Sequence, residues 1–201
     1  MKRDWKYMKL AAGILTGVLL LAGAFFILKP SLPDTVDSIG TTAIEAPFAE
    51  LPARLLIPSI DVDAPVQLVG IATSSAGEME VPDNFTDVGW YKHGPRPGMP
   101  GSAVIAGHLN GKDVPRAVFY DLSAVEIDDE IHIIDVTGEV LTFKVVNTRT
   151  YAYDSPTEEV FISNDGKVRL NLITCAGEWI GDEQLYNERI VVFTELVNPA
   201  E

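Results

Sequence analysis

Val168-Arg169-Leu170-Asn171-Leu172-Ile173-Thr174-Cys175-Ala176-Gly177 is the stretch on which the reading of the chain turns. In an extended strand, Val168, Leu170, Leu172 and Thr174 share one face, and Arg169, Asn171, Ile173 and Cys175 share the other. The first set reads as the core face. Cys175 therefore falls on the more polar face, where a substrate can reach it. It is also the sole cysteine of 201 residues, so no internal disulfide is possible. A lone thiol is either a small buried hydrophobe or a reactive group.

Working outward, residues 54–57, 66–69, 89–91, 102–108, 130–135, 140–149 and 190–196 repeat the same character. They are short, rich in Val, Ile, Leu and Phe, and separated by Gly, Pro, Asn and Asp. Thr137-Gly138 and Asn164-Asp165-Gly166 are turn signals. Only residues 115–125 suggest a helical turn or two. With 168–174 this makes about eight strands, which predicts an all-β domain, a closed barrel or a sandwich.

The N-terminal quarter differs. Lys2, Arg3, Lys6 and Lys9 precede 19 uncharged, mostly apolar residues, Leu10 to Leu28. As a helix they would span about 28 Å, near the hydrocarbon thickness of a bilayer. The flanking charges keep the N-terminus in the cytoplasm. The expected organisation is a basic cytoplasmic N-terminus at 1–9, a transmembrane anchor at 10–28, a Pro-rich extracellular stalk at 29–52 and one catalytic domain at 53–201. A cleaved signal peptide is the competing reading of the apolar run. Beyond residue 29 the chain carries 10 Lys+Arg against 28 Asp+Glu, a net charge of −18. That argues against nucleic acid or an anionic lipid surface as partner.

Two further residues close strand-like runs. His108 ends Ala103-Val104-Ile105-Ala106-Gly107-His108, and Arg189 opens the last strand in Asn187-Glu188-Arg189-Ile190-Val191. A thiolate attacks, an imidazole moves protons, and a guanidinium steadies developing negative charge. Each residue also has an ordinary reading: a buried thiol, a strand-end histidine, a solvated ion-pair partner. His93 and His132 are the other histidines. His132 alternates with apolar Ile131 and Ile133 and is expected to face solvent. No metal-ligand set is present, neither His-x-His nor Cys-x-x-Cys nor His-Glu-x-x-His. The acidic runs Asp128-Asp129-Glu130 and Glu158-Glu159 could hold calcium, but solvated loops explain them as well. No cofactor is expected.

Taken together, Gly101–His108, Leu172-Ile173-Thr174-Cys175 and Asn187-Glu188-Arg189 resemble the sortases, cysteine transpeptidases on the outer face of Gram-positive membranes. The resemblance covers about Leu51 to Leu196. Asn171 stands where the family's cysteine motif starts with threonine. Gly89-Trp90-Tyr91 and Gly94-Pro95-Arg96-Pro97-Gly98 look most like class F or class E. The resemblance implies a closed eight-stranded β-barrel with short helical turns. It implies Cys175, His108 and Arg189 as catalytic residues, with substrate contact at Thr174, Ala106 and Trp90. The implied substrates are exported proteins bearing a Leu-Pro-x-Thr-Gly-type C-terminal sorting signal. The implied acceptor is an amine, of a peptidoglycan precursor or a pilin lysine. Two other readings stand beside this one. One is another wall-associated cysteine enzyme such as an L,D-transpeptidase, which usually has Gly before its cysteine where Thr174 stands here. The other is a tethered, non-enzymatic β-domain that binds wall components.

Overall fold

The computed structural model describes residues 50–73, 77–181 and 185–197. The expected N-terminal segment, anchor and nearly all of the stalk lie outside them. Among the described residues no helix is long and apolar enough to cross a membrane.

Eight strands form the domain: β1 (Pro52–Ile57), β2 (Val62–Val69), β3 (Val88–Tyr91), β4 (Gly101–Ala106), β5 (Glu130–Asp135), β6 (Val140–Ala152), β7 (Val168–Ile180) and β8 (Leu185–Leu196). They close into a barrel in the order β1-β2-β3-β4-β7-β8-β6-β5. Closure leaves every strand paired on both sides. The β2–β3 and β4–β7 neighbours are parallel, and the other six pairs are antiparallel. Parallel neighbours require long connections. Residues 70–87, between β2 and β3, form one of them. Residues 107–129, which follow β4 and include His108, begin the other.

Alternation fills the barrel. Leu55, Ile57, Ile105, Ile131, Ile133, Phe143, Leu170 and Leu172 all point inward and are fully buried. Burying each such side chain stabilises the fold by about 1.5–3 kcal/mol. The outer face of β4, β7 and β8 carries a second, smaller cluster, Val104, Val191 and Ile173. A single-turn helix, α1 (Glu158–Phe161), roofs it with Val160 and Phe161.

Residues 115–125 hold the expected helical turn as one 3-10 turn, Leu122–Ala124, and a further, α-helical turn lies at 158–161. Thr157 stands at its N-cap position and Glu158 and Glu159 fill its first turn, though the Thr157 hydroxyl makes no cap bond. Asn171 lies on the polar face yet is fully buried, because α1 covers it and its Nδ2 donates to Val160 O at 2.7 Å. His132 is half-buried on the barrel's outer side, with Nδ1 3.0 Å from Thr142 Oγ1.

Candidate active site

Cys175 does not end its strand, nor does Arg189 begin one. The β7–β8 hairpin continues past both, from Arg169↔Glu195 to Ile180↔Leu185. The pairing slips between Ala176 and Trp179. Gly177 takes φ +77° there, and Glu178 N–H is bonded by Asn187 Oδ1 at 2.7 Å. A β-carbon at Gly177 would lie 2.2 Å from that same Asn187 oxygen. This bulge twists the hairpin tip and breaks the period-two alternation beyond Cys175.

The register then assembles the site. Cys175 pairs directly with Arg189 across the hairpin. On its other side β7 runs parallel to β4, with Ala106 opposite Ile173. Gly107 N–H continues that ladder to Ile173 O at 3.1 Å, and Thr174 Oγ1 donates to Gly107 O at 2.8 Å. One step further, His108 comes level with Cys175. The register thus sets Cys175 on the path between those of His108 and Arg189.

Thr174 is 4% exposed, and its hydroxyl acts as the rivet between β4 and β7. Ala106 is buried beside Ile173 on the outer face. Trp90 does not reach the site: it is 3% exposed in the barrel core, and its indole N–H donates to Pro95 O at 3.2 Å. Alternation from Val88 puts Trp90 inward, a signal that was legible in the sequence. Arg189 Nη1 donates to Tyr186 O and Glu188 O, both at 2.8 Å. Those two bonds fix the plane of the guanidinium fork.

Beside the thiol opens a cleft of about 330 Å³, lined mainly by Leu109, Phe119, Thr174, Cys175, Ala176 and Ile190. A larger cleft, about 440 Å³, surrounds Arg169 and Glu195 and contains none of the three residues. Its walls are tied into ion pairs, Arg169 to Asp165 and Glu195, and Arg149 to Glu159. Among the described residues no group of His, Cys, Asp and Glu is placed to hold a metal ion.

Burial pushes the Cys175 thiol above the usual thiol range, and the Arg189 charge pulls it part of the way back. The protonated thiol is thus the resting form at neutral pH, and only a small fraction carries thiolate. Alkylation by iodoacetamide should accordingly rise with pH to a midpoint above that of a free thiol. In Arg189→Ala the midpoint should move higher still, since the favourable charge is gone. A midpoint near neutrality, or one that Arg189→Ala leaves in place, contradicts this account.

Comparison with protein-family models matches the Sortase domain over residues 55–197. The chain belongs to the sortase family. Its fold also matches solved sortases at low identity. The lid mutant of sortase A from Corynebacterium diphtheriae is 21% identical, with TM-score 0.56, over 75% of this chain and 72% of that one. Sortase C2 of Group B Streptococcus Pilus Island 1 is 24% identical, with TM-score 0.56, over 75% and 76%. Sortase C1 from Streptococcus suis is 22% identical, with TM-score 0.57, over 75% of each. Comparison with curated protein sequences found no match. This sortase is therefore a cysteine transpeptidase built on the closed eight-stranded barrel, and neither an L,D-transpeptidase nor a non-catalytic wall-binding domain.

Proposed function

We propose that this sortase cleaves a Leu-Pro-x-Thr-Gly-type sorting signal between Thr and Gly and transfers the acyl group to an amine. The observation that carries the reading is the strand register that sets Cys175 between His108 and Arg189.

The Cys175 thiolate adds to the threonine carbonyl and forms a tetrahedral oxyanion. Arg189 donates to that oxygen from a fork already fixed by the Tyr186 and Glu188 carbonyls. Imidazolium His108 protonates the glycine nitrogen as the C–N bond breaks, which leaves a thioester on Cys175. Neutral His108 then takes a proton from the incoming amine as it attacks. The new amide forms as the C–S bond breaks and Cys175 leaves as thiolate beside the imidazolium His108. The first half needs thiolate and imidazolium together, so the raised thiol makes the competent pair scarce and turnover slow. No step calls for a metal or cofactor.

The acceptor is an amine of a peptidoglycan precursor or a pilin lysine, and the donors are exported proteins. The basic N-terminus and the apolar run at 10–28 hold the enzyme in the membrane, with the barrel outside on its stalk. The Gly94–Gly98 loop supports class F or class E. A chain starting at Leu51 should therefore remain folded and cleave a sorting peptide at a rate close to that of the full chain in detergent. Loss of cooperative thermal unfolding on truncation would overturn the assigned boundary.

A further inference from the structure

His108 is held from the side away from the cysteine. Its Nε2 lies 2.9 Å from the carbonyl oxygen of Pro82. The Phe85 ring packs on the imidazole with centroids 5.0 Å apart. Both residues belong to the connection at 70–87, which enters β3. Because β3 and β7 flank β4 on opposite sides, the clamp and Cys175 approach His108 from opposite directions.

A carbonyl oxygen can only accept, so the Nε2 facing Pro82 carries the proton. In neutral His108 the lone pair is then on Nδ1. We propose that Pro82 and Phe85 hold His108 in the Nε2–H tautomer, so that Nδ1 carries the proton exchanged in catalysis. This deepens the transpeptidase mechanism and rests on it. In the cationic form the Pro82 carbonyl keeps Nε2–H, and Nδ1–H passes to the departing glycine nitrogen as its bond to the thioester carbon breaks. Nδ1 is left with the lone pair that next accepts a proton from the incoming amine.

The clamp is built rather than incidental. Asn84 Oδ1 accepts from the N–H groups of Thr86 and Asp87 at 2.9 and 2.8 Å, an Asx turn that sets the loop. Gln67 Nε2 on β2 donates to Asp83 at 2.7 Å and Asp87 at 2.9 Å. Phe85 O accepts from Val118 N–H at 2.9 Å, and His108 O from Phe119 N–H at 2.9 Å, so one segment fastens both clamp and histidine. The far side of the Phe85 ring lies against Gly111, where a β-carbon would fall 2.4 Å from the ring. Gly111→Ala therefore displaces Phe85 without altering either ring's chemistry. Phe85 is a positioning residue: it acts on the reaction only through His108.

The test is nitrogen NMR of the full chain in detergent, with ring-labelled histidine, read above the imidazole titration. His93→Gln and His132→Gln variants assign the three signals. His108 should show a protonated Nε2 and a pyridine-like Nδ1. In Phe85→Ala and Gly111→Ala that pattern should collapse toward the average of the two tautomers. kcat on a sorting peptide should fall about ten- to hundredfold with KM little changed, as expected when a catalytic group is misplaced by an ångström. Phe85→Tyr keeps the ring and should restore both readouts. A resting Nδ1–H tautomer, an Nε2–H signal unmoved in both variants, or wild-type kcat in both variants would overturn the proposal. The tautomer is read without substrate, so a wrong sorting motif cannot mimic its failure.

Discussion

Cys175→Ala should reduce transpeptidation to background while the barrel unfolds at the temperature of the wild type. The substitution removes one sulfur from a half-buried position on β7, and no core side chain loses its seat. Thr174, Leu172 and Leu170 continue to carry the packing from the other face. No second cysteine can substitute, because the chain has none, and an alanine methyl cannot form a thioester. Peptide cleavage followed by chromatography checks it. Residual turnover within about tenfold of wild type would remove Cys175 from the mechanism.

The second large effect separates His108 from Arg189. His108→Ala should cost about 10²- to 10⁴-fold in kcat, the usual range for a lost general acid–base. Arg189→Ala should cost about 10²- to 10³-fold, the loss seen when one oxyanion donor is removed. Arg189→Lys should fall between that variant and wild type. Lysine keeps the charge beside Cys175 but cannot reproduce a fork held by two carbonyls. In each case KM should move little if the contact forms in the transition state. Steady-state kinetics on the three variants are the check. Near-normal turnover of Arg189→Ala would reduce Arg189 to a surface charge and point to Arg169 or Arg96. Of those, Arg169 is already committed to Asp165 and Glu195.

Most of the barrel was legible because its strands bury one face and wet the other. Leu170, Leu172, Ile131 and Ile133 alternate without interruption, and period-two burial is visible in composition alone. The hairpin beyond Cys175 was hidden because a bulge at Ala176–Trp179 destroys that period. The burial of Asn171 was hidden for another reason. Its cover, α1, is a single turn from a separate segment, too short to show a helical period. The trio of Cys175, His108 and Arg189 could be chosen from residue chemistry, although Cys175 and Arg189 lie inside their strands and not at the ends. Their adjacency could not be, because it depends on β4 pairing with β7 across the 61 residues from 107 to 167. The Pro82–Phe85 contact on His108 left no trace in the sequence at all. A backbone carbonyl and a phenyl ring from another loop carry no motif.

The central claim is a thioester on Cys175, and intact-mass spectrometry of the enzyme after brief acid quench with a Leu-Pro-x-Thr-Gly peptide tests it most directly. The account predicts added mass equal to the peptide's acyl portion through threonine, without the glycine fragment. The adduct should map to Cys175 on digestion, form in wild type but not in Cys175→Ala, and disappear when an amine acceptor is added. An enzyme that cleaves the peptide with no such adduct, or with the adduct on another residue, would contradict it.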